Sequence, residues 1–75
     1  MESLKSQLAV MAENWPSKFI TRRQVEQFTG GIIKPGYLAN LDSQGKGPIR
    51  FRIGGKTVYS VKDFMDWLES RSMTL

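Results

Sequence analysis

Glycine and proline cut this chain into pieces too short for one long element to dominate the fold. In 75 residues they stand at Pro16, Gly30-Gly31, Pro35-Gly36, Gly45, Gly47-Pro48 and Gly54-Gly55. Pro16 disfavours helical geometry at Trp15 and so closes a helix predicted from Ser3 to Asn14. Gly30 tolerates the left-handed conformation that a helix end requires. Pro35 suits the first position of a second helix, where its missing amide hydrogen is not needed. Gly45 ends that helix. Gly54-Gly55 falls between two alternating runs, which is the signal of a two-residue hairpin turn.

The segments between these marks carry readable periods. Leu4, Leu8, Met11 and Trp15 recur on one helical face. The stripe is either a flap on the domain core or a dimer seam, and its shortness favours the flap. Thr21-Arg22-Arg23-Gln24 has the form of a capping box and opens a short helix with Val25 and Phe28 inward. Gly31-Ile32-Ile33 reads as a turn with an apolar plug. In the helix from Pro35 to Gln44, Leu38 and Leu41 face inward. Gly36, Asn40 and Ser43 lie opposite, flanked by Tyr37, Ala39 and Gln44. Ile49-Arg50-Phe51-Arg52-Ile53 alternates apolar with basic, as a half-buried strand does. Lys56 to Tyr59 returns, pairing Phe51 with Val58 on a buried face and Arg52 with Thr57 on a wet one. Ser60 caps a last helix with Phe64, Trp67 and Leu68 inward.

Composition narrows the function classes. Cysteine and histidine are both absent. No disulfide or thiolate metal site can staple the fold, so the core must hold it alone. The commonest general base and zinc ligand is also missing. No motif supplies a nucleophile with a base, and neither an enzyme nor a metal or organic cofactor is expected. The longest apolar run, Leu8 to Met11 with Ala12, is far short of the ~20 residues a spanning helix needs. No secretory signal follows it, and a cytoplasmic location is expected.

The net charge of +4 is uneven. Residues 1–20 are neutral and residues 57–75 net −1. Residues 21–56 hold Arg22, Arg23, Lys34, Lys46, Arg50, Arg52 and Lys56 against Glu26 and Asp42, a net +5. A basic centre between neutral or acidic ends points to a polyanion. Two short helices joined by a glycine-containing turn, followed by a basic hairpin, point to double-stranded DNA. The second helix is thin outside, so its backbone can approach a groove floor. Asn40 can pair with adenine, and Tyr37 can touch a phosphate or thymine methyl, or else pack on the hairpin. Arg50, Arg52 and Lys56 on the hairpin suit a narrow minor groove. Arg22 and Arg23 stand in a first helical turn, where the dipole disfavours cations, which implies phosphate contact. Lys34, Gly36, Ser43 and Lys46 complete the set of candidate DNA contacts.

From Phe19 to Ser70 the chain resembles the excisionase-type, MerR-like winged helix-turn-helix family of phages and mobile elements. The resemblance rests on Thr21-Arg22-Arg23-Gln24-Val25, Pro35-Gly36-Tyr37-Leu38-Ala39-Asn40-Leu41 and Gly45-Lys46-Gly47-Pro48. It continues through Phe51-Arg52-Ile53-Gly54-Gly55-Lys56, Tyr59-Ser60-Val61-Lys62-Asp63-Phe64 and Trp67-Leu68. The turn from Gly30 to Lys34 is longer than the family's usual one, and the following helix lacks an arginine that many members carry. The resemblance implies a small α+β winged helix-turn-helix domain over 19–70; the extra N-terminal helix and connector over 1–18, read from the periodicity, and a frayed tail over 71–75 lie outside the match. It further implies sequence-specific DNA binding, either as a recombination directionality factor beside an integrase or recombinase, or as a small transcriptional regulator. The alternative is a protein–protein adaptor that keeps the fold without DNA binding. A monomer in solution that assembles cooperatively on DNA is expected, because the only candidate seam is too short to hold a dimer.

Overall fold

The computed structural model describes residues 3–73 and residue 75. Among the described residues it is a small α+β fold of four helices and a three-stranded antiparallel sheet. None of its helices is long and apolar enough to cross a membrane.

Helix α1 runs Leu4–Glu13, and Ser3 caps it by accepting the Ser6 amide at 3.2 Å. Its stripe covers the core: Leu8 is buried, and Met11 and Trp15 pack against the buried cluster. Leu4, at the far end, stays exposed. The flap reading therefore describes α1, which lies along the last helix. Beyond Pro16, Trp15 Nε1 donates to the Phe19 carbonyl at 3.0 Å and pins the connector.

Strand β1, Phe19–Thr21, is an element the sequence did not announce. Three residues are too few for an alternation to register, and only pairing with a distant strand makes them extended. The capping box at Thr21 forms, with Gln24 Oε1 accepting the Thr21 amide at 3.0 Å. It opens one 3-10 turn, Arg22–Gln24, before helix α2 at Val25–Thr29. Gly30 ends α2 at φ 65°, as expected. The turn that follows is held by Thr29, which is buried. Its hydroxyl donates to the Val25 carbonyl at 2.7 Å and accepts the Ile33 amide at 3.0 Å. Only Ile33 plugs the core; Ile32, expected beside it, is 68% exposed.

Helix α3 spans Pro35–Ser43 and buries Leu38, Leu41 and, unexpectedly, Asp42. It closes in a Schellman turn: Lys46 N–H reaches the Leu41 carbonyl at 2.9 Å across left-handed Gly45. Strands β2, Phe51–Ile53, and β3, Lys56–Ser60, pair in the predicted register, with Phe51 opposite Val58 and Arg52 opposite Thr57. Gly54 and Gly55 both have positive φ, as a type I′ turn requires. β3 is central, in the order β1-β3-β2.

The expected burial of β2 is not found. Phe51 and Ile53 are 47% and 54% exposed, and Ile49 just before them 62%. Alternation told which residues share a face but not which face the helices cover. The covered face is that of Ile20 and Tyr59, cross-strand partners that are both fully buried. On the other face only Val58 is buried.

Helix α4, Val61–Ser70, starts at Ser60, whose hydroxyl accepts the Asp63 amide at 3.0 Å. Phe64 and Leu68 are buried and Trp67 partly so. Rings run in a chain through the core: Trp15 to Phe28 at 5.2 Å, Phe28 to Phe64 at 5.8 Å, and Phe64 to Trp67 at 5.6 Å. The first two contacts are edge-to-face, the favoured geometry for aromatic pairs. Of the tail, Thr74 lies outside the described residues. Arg71 folds back over the Trp67 ring, 5.4 Å from its centroid.

Candidate nucleic-acid interface

Helix α3 projects Gly36, Asn40 and Ser43 to solvent, as its period requires. The Ser43 hydroxyl is turned back on its own helix, donating to the Asn40 carbonyl at 2.8 Å. Asn40 thus carries the exposed amide of that face. Lys34, the residue capping the helix N-terminus, and Lys46, just past its end, are both exposed. Tyr37 is about half exposed. Its hydroxyl lies 3.4 Å from an Arg71 nitrogen, on the α4 side. Trp67 Nε1 donates to the Lys46 carbonyl at 2.9 Å and joins α4 to the same end of α3.

A second group of cations surrounds the hairpin. Arg23, exposed in the 3-10 turn, shares an open cleft of about 490 Å³ with Arg52 and Lys56. Arg22 and Thr57 form its inner wall. Arg52 lies 3.5 Å from the Thr57 hydroxyl across the strand pair. A guanidinium that weakly held leaves readily for a stronger acceptor. Residues 43–62 contain no carboxylate, so nothing on this stretch of chain neutralises the hairpin.

Arg22 departs from expectation. It points inward rather than at solvent, and donates to Asp42 Oδ2 at 2.7 Å and to the Tyr59 hydroxyl at 3.1 Å. Tyr59 in turn donates to the same carboxylate oxygen at 2.5 Å. The Asp42 side chain is 3% exposed, and a buried carboxylate without partners is very costly. That cost accounts for a cation in this position without a phosphate. The hydrogen bond that Arg22 donates to the Tyr59 hydroxyl holds its guanidinium above the ordinary pKa, with burial opposing and Asp42 adding to the rise. Burial, and then the bond to Asp42, push the Tyr59 phenol up to about 12. Among the described residues Asp42 Oδ1 has no hydrogen-bond partner; Arg50, half-exposed at the base of the hairpin, stands 4.0 Å from it. Gly47 passes so close that a Cβ there would collide with this carboxylate.

Asp42 therefore ties together α3, the 3-10 turn, β3 and the base of the hairpin. Sequence reasoning counted it only as a charge. The signal was present: Asp42 lies one turn beyond Leu38 and next to Leu41, on the buried stripe of α3. Of the eleven candidate contacts, the structure gathers Arg23, Arg52 and Lys56 at one cleft and sets Arg50 with Arg52 on a neighbouring one. It spreads Lys34, Gly36, Asn40 and Lys46 along α3, and ties the partly exposed Arg22 to Asp42 and Tyr59. Among the described residues no group of carboxylates is placed to hold a metal ion. In comparison with known proteins, no family model and no curated sequence matches this chain.

Proposed function

We propose that this chain is a winged helix-turn-helix protein that binds double-stranded DNA, with α3 as the reading helix and the β2–β3 hairpin as the wing. The observation that carries the reading is the convergence of Arg23, Arg52 and Lys56 on one open cleft, with α3 packed on the 3-10 turn that supplies Arg23 and exposing the small residues Gly36, Asn40 and Ser43. Small side chains let α3 enter the major groove, which is ~12 Å wide and admits one helix. The cleft cations meet backbone phosphates or the adjoining minor groove, where negative potential is strongest. The role is that of an accessory factor in site-specific recombination or of a small transcriptional regulator, working from the cytoplasm as a monomer that assembles along DNA.

The test is duplex binding against salt. With Arg22 committed to Asp42 and Arg50 4.0 Å from the same carboxylate, five of the seven central cations remain for phosphate, and log K should fall against log[salt] with a slope of about −4 to −5. Affinity that ignores salt, or no binding at low salt, would return the chain to the adaptor class.

A further inference from the structure

Strand β2 has two unlike faces and a free edge. It lies at the margin of the sheet with β3 on one side only, and all three of its residues are exposed. Alternation sets Phe51 and Ile53 on one face and Arg52 on the other, and Ile49 and Arg50 lead into the strand in the same apolar–basic order. Single exposed apolar side chains are ordinary, but Ile49, Phe51 and Ile53, three within five residues and each about half exposed or more, form a cluster that marks an interaction surface. Phosphate contact makes no use of them, so DNA binding leaves this face unexplained.

The backbone of the strand is equally open. Antiparallel partners alternate between hydrogen-bonded and non-hydrogen-bonded pairs, and the residues flanking a two-residue turn form the bonded kind. Ile53 and Lys56 flank Gly54-Gly55. Arg52 therefore directs its N–H and C=O away from β3, towards the open edge. An edge of this kind accepts a strand from another chain.

Charge selects which chain. Residues 43–62 hold five cations and no carboxylate. A second copy pairing edge to edge would bring its own Arg50 and Arg52 against these, and like charges across a ladder repel. A strand that alternates acidic with aliphatic residues sets carboxylates beside Arg50 and Arg52 and apolar side chains beside Phe51 and Ile53.

We infer that the outer edge of β2 docks an extended segment of a different protein in which acidic and aliphatic residues alternate. The inference stands whether or not the chain binds DNA. Where both ligands are present, the carboxylates compete with phosphate for Arg52.

The probe is a short soluble peptide alternating glutamate with valine. Its control has the same composition arranged as a glutamate block and a valine block. By titration calorimetry the alternating peptide should bind about tenfold tighter, from a few favourable cross-strand pairs. Hydrogen exchange at the Arg52 amide should slow when it binds. Arg52→Glu should weaken the peptide about tenfold, and Phe51→Thr and Ile53→Thr about threefold each. All three sites are exposed, so thermal melts should match the parent. Equal affinity for the two peptides, no binding, or an unprotected Arg52 amide would overturn the inference. So would a dimer of the protein alone that protects the same amide, which would hand the edge to a second copy.

Discussion

Replacing Arg22 by methionine tests whether this cation serves the interior or the DNA. Methionine keeps most of the apolar stem and removes the guanidinium. The loss strips Asp42 Oδ2 of its 2.7 Å ion pair and the Tyr59 hydroxyl of its donor. What remains around a carboxylate that is 3% exposed is Tyr59 and, 4.0 Å away, the half-exposed Arg50. Breaking a buried pair from one side costs about 3–5 kcal/mol. Arg22 is itself 29% exposed and Arg50 offsets part of the loss, so about 2–4 kcal/mol is expected. A chain of this length has roughly 4–11 kcal/mol to lose. At about 4–8 °C per kcal/mol, the melting temperature should drop by about 8–32 °C. Circular dichroism melts measure it. Removing the carboxylate as well, in Arg22→Met/Asp42→Leu, should recover most of the drop, because the unpaired charge is gone. Below its melting temperature, Arg22→Met should keep the parent's salt slope on duplex DNA. A melt within about 3 °C of the parent, together with a slope flattened by about 1, would refute the argument and restore Arg22 to the phosphates.

Other outcomes follow from the same geometry. Arg52→Ala should weaken binding to all duplexes alike and flatten the salt slope by about 1, whereas Asn40→Ala should lose about 1–3 kcal/mol of discrimination at one base pair; competition assays with specific and random duplexes separate the two. Tyr59 holds its proton more tightly folded than unfolded, so stability should be level below pH 10, the ordinary value, and fall by about 2–3 kcal/mol as pH rises towards 12. Tyr59→Phe should remove that decline in alkaline melts, and an unchanged decline would mean that another group causes it. Phe28→Ala, which empties the middle of the ring chain, should cost about 3–5 kcal/mol by urea denaturation, while partly exposed Trp67 should cost less. Light scattering should find a monomer, and DNA with several adjacent sites should bind more tightly per site than DNA with one; a micromolar dimer would contradict the first statement and equal site affinities the second.

The helices and the hairpin were legible because each carries its own punctuation. Ser3, Thr21, Pro35, Gly45, Gly54-Gly55 and Ser60 act through local backbone chemistry, and local chemistry is visible in a short window. What could not be read is what depends on distant partners. Strand β1 exists because Phe19–Thr21 meets β3 some forty residues on. The exposure of Phe51 depends on which sheet face α2 and α4 cover, and the alternation in Ile49–Ile53 is the same either way. Arg22 looked like a phosphate ligand because a cation at the start of a helix is locally unfavourable. That premise was sound; its cause is Asp42, twenty residues away, on a stripe that period alone assigned to apolar side chains. The outer face of α3 and the cationic hairpin were legible for the opposite reason, since solvent-facing residues need no partner to be recognised.

The ring chain gives the protein two built-in optical probes placed at opposite ends of one hydrophobic stack. Trp15 reports through its edge contact with Phe28, and Trp67 through its contact with Phe64 and its bond to the Lys46 carbonyl. The hairpin and the outer face of α3 carry no indole. Emission should therefore be sensitive to lifting of the α1 flap, through Trp15, and to release of α4 from the end of α3, through Trp67. Single-tryptophan variants would resolve these two motions in time, while a ligand on the basic cleft would leave both signals nearly dark.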